Sequence, residues 1–317
     1  MMRLLLSIEK PLRNGLVSLV LLMLLTSMNT SAQTLTDGLM MGKNLFCTGF
    51  MYTNDKWTDY WEGELKRENG NIGSITTQSL MYYGVYGITG KLNVIAMVPY
   101  IKTESSQGTL HSMEGVQDLT IGVKYNFLRL ESEKLVFRAF GVLNFSTPLT
   151  DYTPDFMPLA LGTHTTNLTP RVNAMLRLNQ GWFVNGSAGY TFRSNTELDR
   201  PAYYDGQNFY NSSEVDMPDM FDLFVSAGYQ KDALQVELNY IQQNTLGGAD
   251  IRRQDMPFVS NKMNAQRVGL LAMYYLPKPK NLAVRGSVHY TVNGRNVGQA
   301  TTYLAGLLYT FNFGKAE

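Results

Sequence analysis

Ser287 and His289 are the pair of residues best suited to covalent chemistry in this chain of 317 residues. A serine hydroxyl next to a histidine can act as a nucleophile with its general base in acyl transfer. Such a pair also needs a third polar group that orients the histidine, and no such partner can be identified in the sequence. Two interpretations therefore remain open: a catalytic pair that acts on lipid, or two ordinary polar side chains on the wall of a pore.

The segment that carries this pair alternates strictly between apolar and more polar residues. It runs from Asn281 to Asn293 and reads NLAVRGSVHYTVN. A period of two residues is that of a β-strand, so Ser287, His289 and Arg285 share its polar face. A lipid hydrolase would need its pair on the lipid-facing surface, whereas this pattern turns Ser287 and His289 inward. The pattern therefore favours two polar lining residues.

Basic residues recur on the polar faces of other segments that alternate in the same way. The inward-facing set consists of Lys124, Arg138, Arg171, Arg177, Arg193, Arg267 and Arg285, joined by Glu237 and His289. Fixed positive charge in a pore attracts anions, and arginine binds a carboxylate through two parallel hydrogen bonds. Alternatively, these cations line the wall and pair with loop acids such as Asp216 and Asp219. The sequence predicts that this set lines a substrate path and leaves open whether its charge is free.

Metal and cofactor chemistry has weaker support. Acidic residues gather in two loop regions, but without the fixed spacing of a calcium site, so solvated loops are favoured. These residues are Asp55, Asp59, Glu62, Glu64, Asp205, Glu214, Asp216 and Asp219. The three histidines lack metal-ligand spacing, and no phosphate-binding glycine loop is present. We expect no metal, no cofactor and no catalytic residues.

The alternating pattern recurs in about twelve segments along most of the chain. Short connections near residues 88, 132, 180, 231 and 278 separate them, and the connections between these are mostly long. Short turns on one side and long loops on the other are typical of a transmembrane β-barrel. The sequence predicts an all-β, antiparallel up-and-down β-barrel of about twelve strands in contact with outer-membrane lipid. A barrel of this size is intermediate between a packed interior and an open channel.

The first residues resemble an export signal. A basic leader with Arg3, Lys10 and Arg13 precedes an apolar run from Leu16 to Leu25 and the small residues at 30–32. We predict a signal peptide at 1–32 and an outer-membrane β-barrel at 33–317. Removing three basic residues and one acidic residue changes the net charge from +1 to −1, so no nucleic-acid partner is expected. Whether Gln33 to Lys43 plugs the barrel, and the oligomeric state, stay open.

Two stretches indicate a particular family. Residues 83–99 read YGVYGITGKLNVIAMVP and residues 115–127 read GVQDLTIGVKYNF, followed later by NFSTPL and GWFVNGSAGYTFR. Over residues 75–195 the chain resembles the bacterial outer-membrane family labelled as transporters of the phenol-degradation meta pathway. The resemblance implies a barrel, an outer-membrane location and small-molecule transport, and it provides no catalytic motif.

These observations predict a channel or facilitator for small molecules, which could be hydrophobic, aromatic or anionic. Two other classes stay open: an outer-membrane enzyme that modifies lipid, and a structural barrel whose loops bind a partner. A lipid-facing position of Ser287 and His289 would favour the enzyme.

Overall fold

Twelve long antiparallel strands form one closed barrel in the computed structural model, which describes residues 33–314. The strands are β1 (Leu45–Trp57), β2 (Ile75–Gly87), β3 (Leu92–Ser105), β4 (Asp118–Glu131), β5 (Leu135–Pro148), β6 (Asn167–Leu178), β7 (Trp182–Arg193), β8 (Met220–Lys231), β9 (Leu234–Thr245), β10 (Asn264–Tyr275), β11 (Leu282–Arg295) and β12 (Thr301–Asn312). Each strand pairs with its neighbour in the chain, and β1 also pairs with β12. The predicted fold class is confirmed. The predicted signal peptide lies outside the described residues.

The outer surface of the barrel is apolar. Side chains that point away from the lumen are mostly aliphatic or aromatic and largely exposed, including Val172 (60%), Leu238 (66%) and Phe50 (55%). Because the barrel is closed, no strand edge is left with unpaired backbone N–H and C=O groups. A sheet in a hydrocarbon environment requires this pairing. Within residues 33–314 no helix has the length and hydropathy needed to span a membrane.

Aromatic rings cluster at the end of the barrel where the short turns lie. Trp182 on β7 packs edge-to-face against Tyr229 on β8 with ring centroids 5.2 Å apart. Phe46 stacks near Phe311, and Phe311 stacks on Phe313. Such rings mark the interface between hydrocarbon and water in outer-membrane barrels. This end therefore faces the periplasm, because short turns lie on that side.

The interior is less polar than the alternation suggests. A buried apolar cluster fills part of the lumen beside β1, β2, β3, β10, β11 and β12. Its wall residues include Cys47, Met51, Tyr83, Val85, Ile95, Leu271, Met273, Tyr275, Ala283 and Leu308. The strands that supply them carry apolar residues on both faces, as strands do when neither face meets water. These side chains consequently occupy part of the lumen.

The long loops contain structure that the alternation does not predict. The first of these loops follows Trp57, the last residue of β1. It contains a hairpin of Asp59–Glu62 with Leu65–Glu68, which turns at Gly63 with a φ of 57°. Glycine adopts this left-handed conformation at little cost. Two further strand pairs, Thr196–Glu197 with Glu214–Val215 and Tyr203–Tyr204 with Phe209–Tyr210, shape the loop before β8.

Candidate functional site

Residues 33–42, which we call the plug, lie inside the barrel before β1 begins. Inward-facing side chains hold its backbone from several strands. Asn173 on β6 donates from Nδ2 to the carbonyl oxygens of Leu35 (2.8 Å) and Asp37 (3.1 Å). Asn185 on β7 donates to the carbonyl of Thr36 (3.0 Å). The question that the sequence leaves open is answered: this segment occupies the lumen.

Lys124 on β4 is the strongest attachment of the plug to the wall. Its side chain is fully buried, and Nζ donates to the carbonyl of Thr34 (3.0 Å), the carbonyl of Asp37 (2.7 Å) and Asp37 Oδ1 (2.8 Å). The ring of Phe140 lies 5.0 Å from Nζ on another side. A buried ammonium group needs such a complete set of acceptors, because its desolvation would otherwise be very costly. Lys124 therefore serves to hold the plug.

Two glycines allow the plug to lie close to the wall. A Cβ atom added at Gly122 on β4 would stand 2.5 Å from Leu35 Cδ2. A Cβ atom added at Gly38 would stand 2.2 Å from Cβ of Met175 on β6. Both distances are far shorter than ordinary carbon contacts, so larger side chains at either position would push the plug away.

A bidentate ion pair joins β6 to β8 across the strand between them, β7. Arg171 on β6 donates from Nη1 and Nη2 to the two carboxylate oxygens of Asp222 on β8 at 2.6 and 2.7 Å, and also to the Ser187 hydroxyl at 3.0 Å. Gly189 on the strand between them makes room for the guanidinium, since a Cβ atom there would lie 2.7 Å from Nη2. The positive charge of Arg171 is thus neutralised.

Two cavities border the plug. The larger, of about 340 Å³, lies between Thr34, Thr36 and Asp37 of the plug and the wall formed by β6 and β8 to β11. We call it the inner cavity. Its wall includes Arg171, Asp222, Phe224, Gln235, Glu237, Asn239, Ile241, Gln243, Leu271, Met273, Arg285 and His289. A second cavity of about 260 Å³, the periplasmic cavity, lies near Leu39 and is lined by Arg129, Glu131, Val136, Arg138, Met175, Arg177 and Asn179.

The structure brings together some of the predicted site residues and separates others. Arg171, Glu237, Arg285 and His289 border the inner cavity, whereas Arg138 and Arg177 border the periplasmic cavity. Arg177 also donates to the carbonyl of Gln230. Arg267 Nη1 donates to Gln243 Oε1 (3.0 Å), and the backbone amide of Arg193 donates to Asp219 Oδ1 (3.1 Å). Lys124 lies against the plug.

The inward cations differ in whether they have an acidic partner. Lys124 and Arg171 form ion pairs with Asp37 and Asp222. Within residues 33–314, no carboxylate oxygen lies within 4.0 Å of the guanidinium groups of Arg138, Arg177, Arg193, Arg267 or Arg285. The acids in these two ion pairs are therefore Asp37 of the plug and Asp222 of β8, and not the loop acids expected from the sequence.

Ser287 and His289 do not form a catalytic arrangement. His289 borders the inner cavity, and Ser287, two residues away on the same strand, shares its face. In the described part of the chain no hydrogen bond joins the Ser287 hydroxyl to the imidazole, and no carboxylate within hydrogen-bonding distance orients His289. Among residues 33–314, no group of three or more His, Cys, Asp or Glu side chains is arranged to hold a metal ion.

The extracellular loops pack on one another above the barrel. Leu198, Tyr203 and Met217 of the loop before β8 form a buried cluster with Phe258 and Val259 of the loop before β10. Tyr203 stacks on Phe258 with ring centroids 5.3 Å apart. The loop acids Asp59 and Glu62 pair with Lys66 and Arg67 in the first hairpin. The loops therefore form a folded cap.

Asp250 ties this cap to the rim of the barrel. Its carboxylate accepts hydrogen bonds from Arg295 Nε (2.8 Å) and Nη2 (2.6 Å) and from Asn296 Nδ2 (2.7 Å). Arg295 also pairs with Glu64 of the first hairpin. The hydrogen bonds from Arg295 hold the pKa of the Asp250 carboxyl below its ordinary value, with further help from Asn296.

The hydrogen bonds of Asp250 with Arg295 and Asn296, which we call the clasp, should weaken at acidic pH. A carboxyl whose pKa is lowered by folding stabilises the folded state above its unfolded pKa, about 3.9, and loses that contribution as the pH falls through its folded pKa. We expect pepsin cleavage between residues 246 and 263 to rise about fivefold below pH 4, near the upper value for an exposed ion pair. Asp250→Asn should be cleaved faster at every pH with little further change. Asp199→Asn, an exposed acid in the cap, is the control, and an Asp250→Asn profile that still follows wild type would refute the clasp.

Sequence reasoning missed the residues that hold the plug. Asn173 and Asn185 read as ordinary polar positions on their strands, and nothing in their spacing indicates a peptide ligand. Asp37 offered a faint signal, because a short polar segment with an acid precedes the first strand and could meet the inward Lys124.

Comparison with known proteins supports the fold. A solved outer membrane channel from Pseudomonas putida F1 has a TM-score of 0.70 at 12% identity, and the match covers 89% of this chain and 100% of that one. The translocator domain of autotransporter NalP from Neisseria meningitidis has a TM-score of 0.46 at 10% identity, covering 86% and 90%. A TodX mutant, titled a monoaromatic hydrocarbon channel, has a TM-score of 0.44 at 10% identity, covering 86% and 91%. The search of curated proteins found no match.

A closed barrel with an apolar outer surface belongs in a bacterial outer membrane, because only such barrels satisfy all strand edges in lipid. The family model described as "Putative MetA-pathway of phenol degradation" matches residues 69–305, which is most of the chain. The chain therefore belongs to that family.

Proposed function

We propose that this protein is an outer-membrane channel for small molecules, with the plug regulating the width of its lumen. The observation that carries the proposal is the pair of cavities bordering the plug inside a closed barrel. Barrels of eight strands are filled by their own side chains, whereas twelve strands leave space that a short segment can restrict. The family description, which names phenol degradation, supports a role in the passage of aromatic compounds.

The solute path in this proposal runs beside the plug. It includes the nine residues predicted from the sequence, with Arg285, Glu237 and His289 at the inner cavity and Arg138 and Arg177 at the periplasmic cavity. Lys124 and Arg171 contribute to it by fixing the plug and the wall. We further propose that the protein is not an enzyme, which is supported by the inward position of Ser287 and His289 and by the absence of an orienting carboxylate among the described residues.

The test of the channel is the swelling of proteoliposomes that contain the refolded mature chain, in sugars, benzoate-like acids and neutral aromatics. Permeability above that of protein-free vesicles for at least one solute class is expected. Folding is checked by the shift in electrophoretic mobility on heating. A barrel that is folded and impermeable to every solute would refute the proposal.

The unpaired cations at the periplasmic cavity should control ion preference. Each unscreened charge near a pore axis changes the energy of a passing ion by about 1 kcal/mol at close range in a wet environment, which is about fivefold in permeability. Alanine at both Arg138 and Arg177 should lower the chloride-to-potassium permeability ratio, measured from reversal potentials in planar bilayers, by at least this factor. Arg253→Ala, an exposed loop arginine, should leave the ratio unchanged. Equal effects of the two variants would contradict this assignment.

A further inference from the structure

The inner cavity combines charged and apolar surfaces in an order that suggests one class of ligand. Its charged residues belong to β6, β8, β9, β11 and the plug, and its apolar residues are Phe224, Ile241, Leu271 and Met273. A volume of about 340 Å³ equals roughly eleven water volumes, so a ligand of about ten non-hydrogen atoms would fit.

Two ionisable residues of this cavity form no salt bridge, although Gln235 Nε2 donates a hydrogen bond to Oε2 of one of them, Glu237 (3.5 Å). Asp37 is held by Lys124 and Asp222 is held by Arg171, which leaves Arg285 and Glu237. In the described residues no oppositely charged group lies within 4.0 Å of either. The Nε atom of Arg285 is also buried without a hydrogen-bond partner. Because this atom has no accessible surface, a ligand in the cavity contacts the outer, Nη end of the guanidinium.

The strand register separates the two groups by an apolar strip. Arg285 on β11 pairs with Met273 on β10, and Met273 pairs with Gln235 on β9. Glu237 lies one inward position further along β9 and pairs with Leu271. Adjacent strands are about 4.8 Å apart, so the backbones of Arg285 and Glu237 are roughly 10 Å apart across the sheet. Leu271 and Met273 lie on the strand between them.

We propose that the inner cavity binds a hydroxylated aromatic monocarboxylate, and this proposal rests on the channel function above. The ligand carboxylate accepts hydrogen bonds from the Nη atoms of Arg285, which borders the cavity. The ring packs over Leu271 and Met273, where the thioether makes a favourable contact with an aromatic face or edge. The hydroxyl group at the far end donates to the carboxyl group of Glu237.

Three probes separate the two ends of this site. 4-Hydroxybenzoate carries both groups, benzoate has only the carboxylate, and phenol has only the hydroxyl. Binding is measured by titration calorimetry on the folded barrel in detergent at pH 7, which does not depend on permeation through lipid. We expect 4-hydroxybenzoate to bind at least tenfold more tightly than either other probe, since each polar end adds a hydrogen bond to a charged group.

The variants should act reciprocally. Arg285→Gln should weaken 4-hydroxybenzoate and benzoate about tenfold without changing phenol binding. Glu237→Leu should weaken 4-hydroxybenzoate and phenol while benzoate stays unchanged, and Glu237→Gln, which keeps an acceptor oxygen, should restore part of the loss. Arg253→Gln and Glu133→Gln, at exposed positions, are the charge-matched controls. The shift in electrophoretic mobility on heating checks that each variant is folded before it is titrated.

Two results would overturn the site: no difference in affinity among the three probes, or equal losses for all probes in both variants. Failure of the channel proposal looks different. If the channel proposal fails, vesicles that contain the folded barrel stay impermeable, whatever the calorimetry shows. If the barrel is permeable but does not bind 4-hydroxybenzoate, only the proposed binding site is refuted.

Discussion

Replacing Asp37 with alanine is expected to open the lumen. Lys124 would then be a fully buried ammonium without its carboxylate, and breaking a buried pair by removing one partner costs about 3 kcal/mol or more. The plug can avoid this cost by leaving the lumen, which lets water reach Lys124. A change of about 3 kcal/mol shifts the ratio of displaced to inserted plug roughly a hundredfold. We therefore expect single-channel conductance in planar bilayers to rise well above that of wild type.

A second variant reaches the same state by a different route. Gly122→Leu leaves Asp37 and Lys124 intact but places a side chain where Leu35 lies, because even a Cβ atom at this position would be 2.5 Å from Leu35 Cδ2. Both variants should raise conductance, and Glu133→Ala, at an exposed turn, should not. Wild-type conductance in Asp37→Ala and Gly122→Leu, with barrels that still show heat-modifiable mobility, would mean that the plug does not restrict the lumen.

Removing Arg171 should have the largest effect on the stability of the wall. Arg171→Ala leaves Asp222 and the Ser187 hydroxyl without their shared donor in a buried part of the barrel, at a cost of about 3–5 kcal/mol. The midpoint of urea unfolding in detergent micelles should fall accordingly. Its conductance should change little, because the charge of Arg171 is already neutralised by Asp222.

A double-mutant cycle isolates this pair. The cycle compares Arg171→Leu, Asp222→Leu and the variant with both changes, which removes the two charges together; such apolar replacements often recover most of the loss. We expect the double variant to be more stable than either single variant. Arg253→Ala should leave the midpoint unchanged. Additive losses in the double variant would show that the two side chains are not coupled.

The barrel itself could be predicted from the sequence, because its governing rule is local. The alternation of apolar and polar residues fixes which side chains meet lipid, and turn residues such as those at 88 and 180 fix where each strand reverses. The same parity predicts the inward direction of Arg285 and His289, which border the inner cavity. The alternation of neighbouring residues is therefore enough to predict the strands and the direction of their side chains in a β-barrel.

The contents of the lumen could not be predicted in this way. The pairing of Lys124 with Asp37 and of Asn185 with the Thr36 carbonyl joins residues distant in sequence, and no spacing indicates either contact. The buried apolar cluster around Tyr83 and Met273 could not be predicted for another reason. An apolar residue facing a dry lumen has the same side-chain chemistry as one facing lipid, so strands such as β2 and β10 give no sign of which face is wet.

The pairing of β1 with β12 has a consequence for the order of assembly. These strands come from opposite ends of the described chain and pair from Leu45 with Asn312 to Lys56 with Thr301. Until they meet, both edges expose unpaired backbone groups, which hydrocarbon penalises by several kcal/mol each. Contacts so distant in sequence also form slowly. The plug directly precedes β1, so closing this seam also encloses the segment that narrows the lumen.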